Sequence, residues 1–130
     1  MRFLLLFIST FLFAYELKIN ITNIKNNNGC IYFSIYKNPN NFLDRKKAYK
    51  NIKLKAKKNL SYKLDLNKGI YAITLFHDEN SNNILDRNFF HFPTEGYGFS
   101  TNPFLFGKPK FSDAEFILEN DKIIKIKMNY

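Results

Sequence analysis

The sequence predicts an all-β protein: a single seven-stranded Greek-key sandwich, Ig-like or transthyretin-like, with one long ordered loop. Three observations lead there. Seven stretches are strand-like in their apolar pattern, most of them alternating with period two, and short turns rich in Asn, Asp and Gly join most of them. Between 78 and 113 the periodicity stops, a span long enough in a compact domain to need its own ordering. No internal repeat, Gly/Ser linker or low-complexity tail marks a second domain.

The chain begins with Met-Arg, an apolar run of 11 residues from Phe3 to Phe13, and Ala14. A positive start, a short greasy run and a small residue are the parts of a secretory leader. The run is shorter than the ~20 residues needed to cross a bilayer and has neither strand nor helix period. Residues 1–14 are therefore expected to be a signal peptide cleaved after Ala14. Residues 15–130 then mature in the periplasm or outside the cell, with no membrane-spanning segment. No cysteine near the cleavage point suggests a lipid anchor.

Residues 15–24 place Leu17, Ile19 and Ile21 opposite Glu16, Lys18 and Asn20. Asn26-Asn27-Asn28-Gly29 reads as a turn, and 30–37 buries Ile31, Phe33 and Ile35, so the two strands are expected to form a hairpin. Pro39 ends that pattern, and 41–50 is expected to form a short helix over one end of the sheet. Residues 51–57 alternate Ile52, Leu54 and Ala56 with Lys53, Lys55 and Lys57; 60–66 repeats the alternation. Residues 70–77 are nearly all apolar, as in a central strand, and 114–119 and 122–129 complete the seven.

Composition limits function more by exclusion. The chain has 20 basic and 11 acidic residues, net +9, and loss of Arg2 with the leader would leave +8. The lysine stripe on 51–57 reads as a solvated edge that resists aggregation. A basic module for anionic envelope polymers is the alternative. Nucleic acid is not expected, because the stripe lacks interleaved exposed aromatics on which bases stack. One cysteine rules out an intrachain disulfide. Cys30 reads as a small packed hydrophobe, and Asn20 and Asn59 head coincidental glycosylation sequons.

The most informative stretch is 77–86. Asp78, Asn80, Asn82 and Asp86 fall at positions 1, 3, 5 and 9 of an EF-hand-like loop, and Ile84 at position 7 offers its carbonyl. A tight loop turns alternate side chains inward, and hard Ca²⁺ takes six to eight such oxygens. Asn83 stands where Gly is usual, and Phe89 where a bidentate Glu is usual. Glu79, Glu95 or Asp113 is the expected source of the missing carboxylate. The expected cofactor is thus a structural Ca²⁺. The rival is a metal-dependent envelope enzyme using His77, Asp78, Glu95 and His91. No phosphate loop or nucleophile elbow occurs.

Residues 67–80, then Asn82, Leu85-Asp86, Asn88-Phe89 and Pro93-Thr94-Glu95-Gly96-Tyr97-Gly98-Phe99-Ser100, resemble the bacterial domain-of-unknown-function family 2141. Gly107, Pro109, Phe111, Asp113, Ala114 and Phe116 continue the likeness. It implies an exported single β-sandwich and carries no activity. Within that block Phe92, Tyr97 and Phe99 are expected to anchor the loop on the sandwich, and Phe104 and Phe106 to do the same. The combined expectation is a monomeric, non-enzymatic binding module for an envelope protein or glycan.

Overall fold

A computed structural model describes Leu4, Leu6, residues 13–88 and residues 93–130. The expected leader therefore lies largely outside the described residues. All seven expected strands form, and an eighth lies inside the long excursion. They are β1 (Ala14–Thr22), β2 (Cys30–Tyr36), β3 (Lys50–Lys55), β4 (Leu60–Asn67), β5 (Gly69–Asp78), β6 (Tyr97–Phe99), β7 (Glu115–Leu118) and β8 (Lys122–Lys127). One helical turn, α1 (Phe111–Ala114), precedes β7.

The strands make two sheets. In the first, β1 is central, antiparallel to β4 and parallel to β8. In the second, β2 lies between β3 and β5. The far side of β5 is shared: β6 pairs along Thr74–Phe76 and β7 along Gly69–Ala72. The core lies between the sheets, where Leu17, Ile19 and Ile21 of β1 meet Ile31, Phe33 and Ile35 of β2. Tyr71, Ile73 and Leu75 from β5 and Ile124 and Ile126 from β8 join them. Burial of each such large side chain stabilises the fold by about 1.5–3 kcal/mol.

The expected β1–β2 hairpin does not form, because its strands belong to opposite sheets. The Asn-rich segment between them is bonded to other parts of the chain instead of closing a two-strand turn. The Asn27 side chain accepts the Lys58 N–H, that of Asn26 donates to Glu79, and the Asn28 carbonyl accepts from His77. Seven residues, 23–29, are ample to cross the ~10 Å between packed sheets.

The expected helix over 41–50 is also replaced. Two 3-10 turns, Pro39–Asn41 and Arg45–Lys47, stand there, each started by a side-chain cap, from Asn38 and Asp44. Between them Leu43 takes φ +73°, a left-handed conformation no continuous helix tolerates. Phe42 from this segment packs on Tyr36, Phe99 and Phe111, making a second, smaller core on the outer face of the second sheet. That cover explains why β2 is buried on both faces from Phe33 to Tyr36.

β3 is the edge strand, and Lys50, Lys53 and Lys55 on it are exposed. At the other border, Tyr97 and Asn129 exchange backbone hydrogen bonds of 2.9 and 2.7 Å, tying the second sheet to the chain beyond β8.

Gly29 has φ +65°, and a Cβ there would stand 1.8 Å from the Asp78 carbonyl oxygen. The backbone of the 23–29 connection thus passes directly against the end of β5. Gly29→Ala is expected to cost about 3 kcal/mol or more, from left-handed strain plus overpacking. Denaturant unfolding followed by circular dichroism measures it; a loss below about 1 kcal/mol would contradict the close approach.

Candidate functional site

β5 ends in His77-Asp78, and the polar loop that follows is organised by two buried carboxylates. Asp78, 1% exposed, accepts the backbone N–H of Asn82 at 3.2 Å and of Asn83 at 2.8 Å. Ser81 and Asn83 take left-handed φ of 58° and 65°, which curls the chain back over that carboxylate. Glu95, 6% exposed, accepts the N–H of Glu79 at 2.8 Å with one oxygen and that of Asp86 at 3.0 Å with the other. One side chain thereby holds both ends of the loop. The return path is secured by the Thr94 N–H donating to the Asp86 carbonyl and by a bridge between Arg87 and Pro93.

The residues expected to ligate calcium are thus gathered, together with Glu95. Asn80 and Asn82 each donate a side-chain N–H to Asp86, both at 2.6 Å. These two bonds, Asn82 first, hold the Asp86 carboxyl below its ordinary value. The Asn82 side-chain oxygen accepts the Ile84 N–H at 3.2 Å, and the Ile84 side chain is exposed. Glu79 turns away to accept from Asn26, and Asp113 is absent from the cluster, accepting the Lys110 N–H at the start of α1. Among the described residues no three His, Cys, Asp or Glu side chains gather closely enough to hold a metal by themselves. Any ion here would depend on amide and backbone oxygens as well.

His77 is fully enclosed. Its Nε2 donates to the Asn28 carbonyl at 2.6 Å, which leaves Nδ1 to accept from the Tyr130 hydroxyl at 2.7 Å. That hydroxyl in turn accepts the Lys25 N–H, and burial pushes its pKa up. The Tyr130 ring lies where a side chain on Gly96 would be, at 2.4 Å from a Cβ built there. Both histidine nitrogens are used in structure. His91, its expected companion, lies outside the described residues, as do Phe89 and Phe92.

Tyr97 and Phe99 lie on β6 and pack into the second core, as anchors. Phe104 and Phe106 do not: they are 84% and 93% exposed, edge to face with each other at 4.9 Å. Between them Leu105 packs against the second core, while nothing lies within 4 Å of a Cβ built on Gly107.

Between these excursions and the second sheet runs a cleft of about 840 Å³. Its floor is the outer face of β2, β5 and β6, with Tyr36, Thr74, Phe76 and Phe99. One wall carries Leu43 and Arg45, the facing walls Ile84, Leu105 and Lys108. Arg45 braces them. Its Nη1 donates to the Asn83 carbonyl at 2.8 Å, and its guanidinium lies 4.9 Å from the Tyr32 and Phe76 ring centroids. Those rings are stacked at 5.0 Å. Nothing in the sequence reading pointed to this cleft. The available signal was the nearly unbroken apolar run of β5, which implies that its outer face is covered too.

These features define a class: a small two-sheet, all-β domain whose hydrogen-bonded loop walls an aromatic cleft. The chain belongs to the family described as uncharacterized protein conserved in bacteria (DUF2141), whose family model matches residues 19–126. Neither the search of curated proteins nor that of solved structures found a match.

The Asp86 value carries a sign. A depressed folded-state carboxyl contributes stability that is complete above the ordinary carboxylate range of about 4. That stability is lost as pH falls through the depressed value. Asp86→Asn is expected to flatten the acid limb of a plot of thermal midpoint against pH. An unchanged limb would show that the two amide bonds do not form in solution.

Proposed function

We propose that this chain is an exported, monomeric, non-enzymatic binding module whose 78–113 excursion presents a surface to an envelope protein or glycan. The observation that carries the reading is the exposed Phe104–Phe106 pair, packed edge to face, on the part of that excursion between β6 and α1. Exposed aromatics are typical anchors for a partner, because they bury much area for little lost side-chain freedom. The non-enzymatic part is supported by the polar groups of the rival enzyme reading. His77, Asp78 and Glu95 already spend their nitrogens and oxygens on structural hydrogen bonds.

The strand order supports a Greek-key reading of the sandwich. β2 and β3 are adjacent, β4 lies across in the other sheet, and β5 returns beside β2. Export rests on the leader-like residues 1–14; among the described residues no helix is long and apolar enough to cross a membrane. N-terminal sequencing of protein from an envelope fraction is expected to begin at Tyr15, and an intact Met1 on cytosolic protein would defeat export.

Calcium belongs to the same proposal, as a structural ion at Asp78, Asn80, Asn82, Ile84 and Asp86. The alternating oxygens and two carboxylates support it. Asn80 and Asn82 would have to turn over, giving their oxygens to the ion and freeing Asp86. Calcium is expected to raise the thermal midpoint over that in chelator, and Asp86→Ala to abolish the shift. Identical midpoints with calcium and with chelator would remove the ion. For the surface, wild type is expected to capture a partner from envelope extract that the Phe104→Ser, Phe106→Ser double variant does not.

A further inference from the structure

The cleft behind the aromatic rim is a separate feature with its own chemistry. Its volume of about 840 Å³ lies in the range of small-molecule sites, about 300–1,000 Å³. Apolar and aromatic side chains dominate the lining, and every ionisable side chain among them other than tyrosine is basic: Arg45, Arg87 and Lys108. Among the described residues no acidic side chain faces it. Arg45 and Lys108 make no ion pair among the described residues. Arg45 is half-buried and Lys108 exposed, so the lining carries net positive charge, which favours a negative group brought in by a ligand.

Two polar atoms sharpen this. Among the described residues Arg45 Nε is buried and has no hydrogen-bond partner, although Nη1 of the same group is committed to Asn83. The Tyr36 hydroxyl, on a residue 1% exposed at the cleft floor, also has none. Burial raises the pKa of this hydroxyl; Ser34 and Thr74 oppose that rise in part, but neither meets it at bonding geometry. Buried donors of this kind are nearly always satisfied in folded proteins, so two orphans beside one cavity mark groups that await an acceptor. Leu43, in its left-handed conformation, lines the same cleft, and backbone strain of that sort collects at ligand clamps.

We propose that the cleft binds an anionic amphiphile, its apolar body over Phe76, Ile84 and Phe99 and its carboxylate or phosphate head at Arg45 and Lys108. The head would accept from Arg45 Nε, and small shifts of the covering Leu43 segment would bring it to the Tyr36 hydroxyl. The ligand is a single molecule held in a groove, not a membrane surface met by the exposed rim. This site goes beyond the partner surface at Phe104 and Phe106 and does not depend on calcium.

The test uses the chain expressed full-length, with whatever processing the host performs. Bound 1-anilinonaphthalene-8-sulfonate is displaced by monomeric laurate or by neutral dodecanol of the same chain length. Laurate is expected to displace about tenfold better, the worth of one charged hydrogen bond. Arg45→Gln and Lys108→Gln are each expected to erase most of that preference and leave dodecanol unchanged. Because Arg45 also braces the walls, Lys108→Gln on the exposed segment decides if Arg45→Gln does not fold. Tyr36→Phe is expected to weaken laurate while keeping or raising the thermal midpoint, since it deletes a buried orphan hydroxyl. A lowered midpoint would mean that the hydroxyl is already bonded, and would remove it from the site.

Equal displacement by laurate and dodecanol overturns the anionic head while leaving a binding cleft. Displacement by neither overturns the cleft as a ligand site, and the partner surface stands or falls separately on its pull-down. Cosedimentation with phosphatidylglycerol vesicles in the absence of laurate binding assigns the lipid chemistry to the rim and overturns the proposal.

Discussion

Two strands that each bury an apolar face must either share a sheet or face each other across the interior, and this chain repeatedly takes the second course. β1 and β2, β3 and β4, β4 and β5, and β7 and β8 are all consecutive pairs divided between sheets. Each crossing has to satisfy its own backbone polar groups over the ~10 Å gap. In the first crossing the Asn28 carbonyl accepts from His77 and the Asn28 N–H donates to the Asn26 side chain, while the Asn26 and Asn27 side chains tie the segment to Glu79 and Lys58. The packing of two sheets therefore rests on connections that cannot be moved without exposing that interior, and Gly29 marks the tightest of them.

The same end of β5 serves as foundation for the polar loop. His77 points to the 23–29 connection, Asp78 to the start of the loop, and Glu95 joins both ends. Carboxylates that accept two backbone N–H groups each act as substitutes for regular secondary structure, giving an irregular span the hydrogen bonds a strand would supply. Arg45 extends the order outward, from the loop at Asn83 to the stacked rings of Tyr32 and Phe76. The cleft lies between the 38–48 segment, which meets the sheet at Phe42, and the long excursion, with Arg45 bonded across to Asn83.

Much of the fold was legible because period-two alternation survives wherever one face is buried: Leu17, Ile19 and Ile21 are as plain in the sequence as in the core. Pairing was not legible, since an Asn-Gly turn signal says nothing of partners 30 to 50 residues away. The helix expected over 41–50 failed on local chemistry: Asn38 and Asp44 cap two separate turns, and Leu43 breaks the path between them. At the candidate site, oxygen spacing found the residues that converge, but not that their amides donate to Asp86. The cleft escaped because Tyr36, Arg45 and Lys108 meet only in three dimensions, and β6 because three residues are too few to show a period.

The lysines on β3 bear on what the open edge of the second sheet can pair with. An outer strand offers a row of unused backbone donors and acceptors that a second copy could zip onto, but two such strands would bring six ammonium groups together. That repulsion reaches about 8 Å at physiological ionic strength and shrinks to about 3 Å in molar salt. The barrier to edge-to-edge pairing at β3 is thus a property of its surroundings as much as of the strand, highest in dilute electrolyte and lowest in brine.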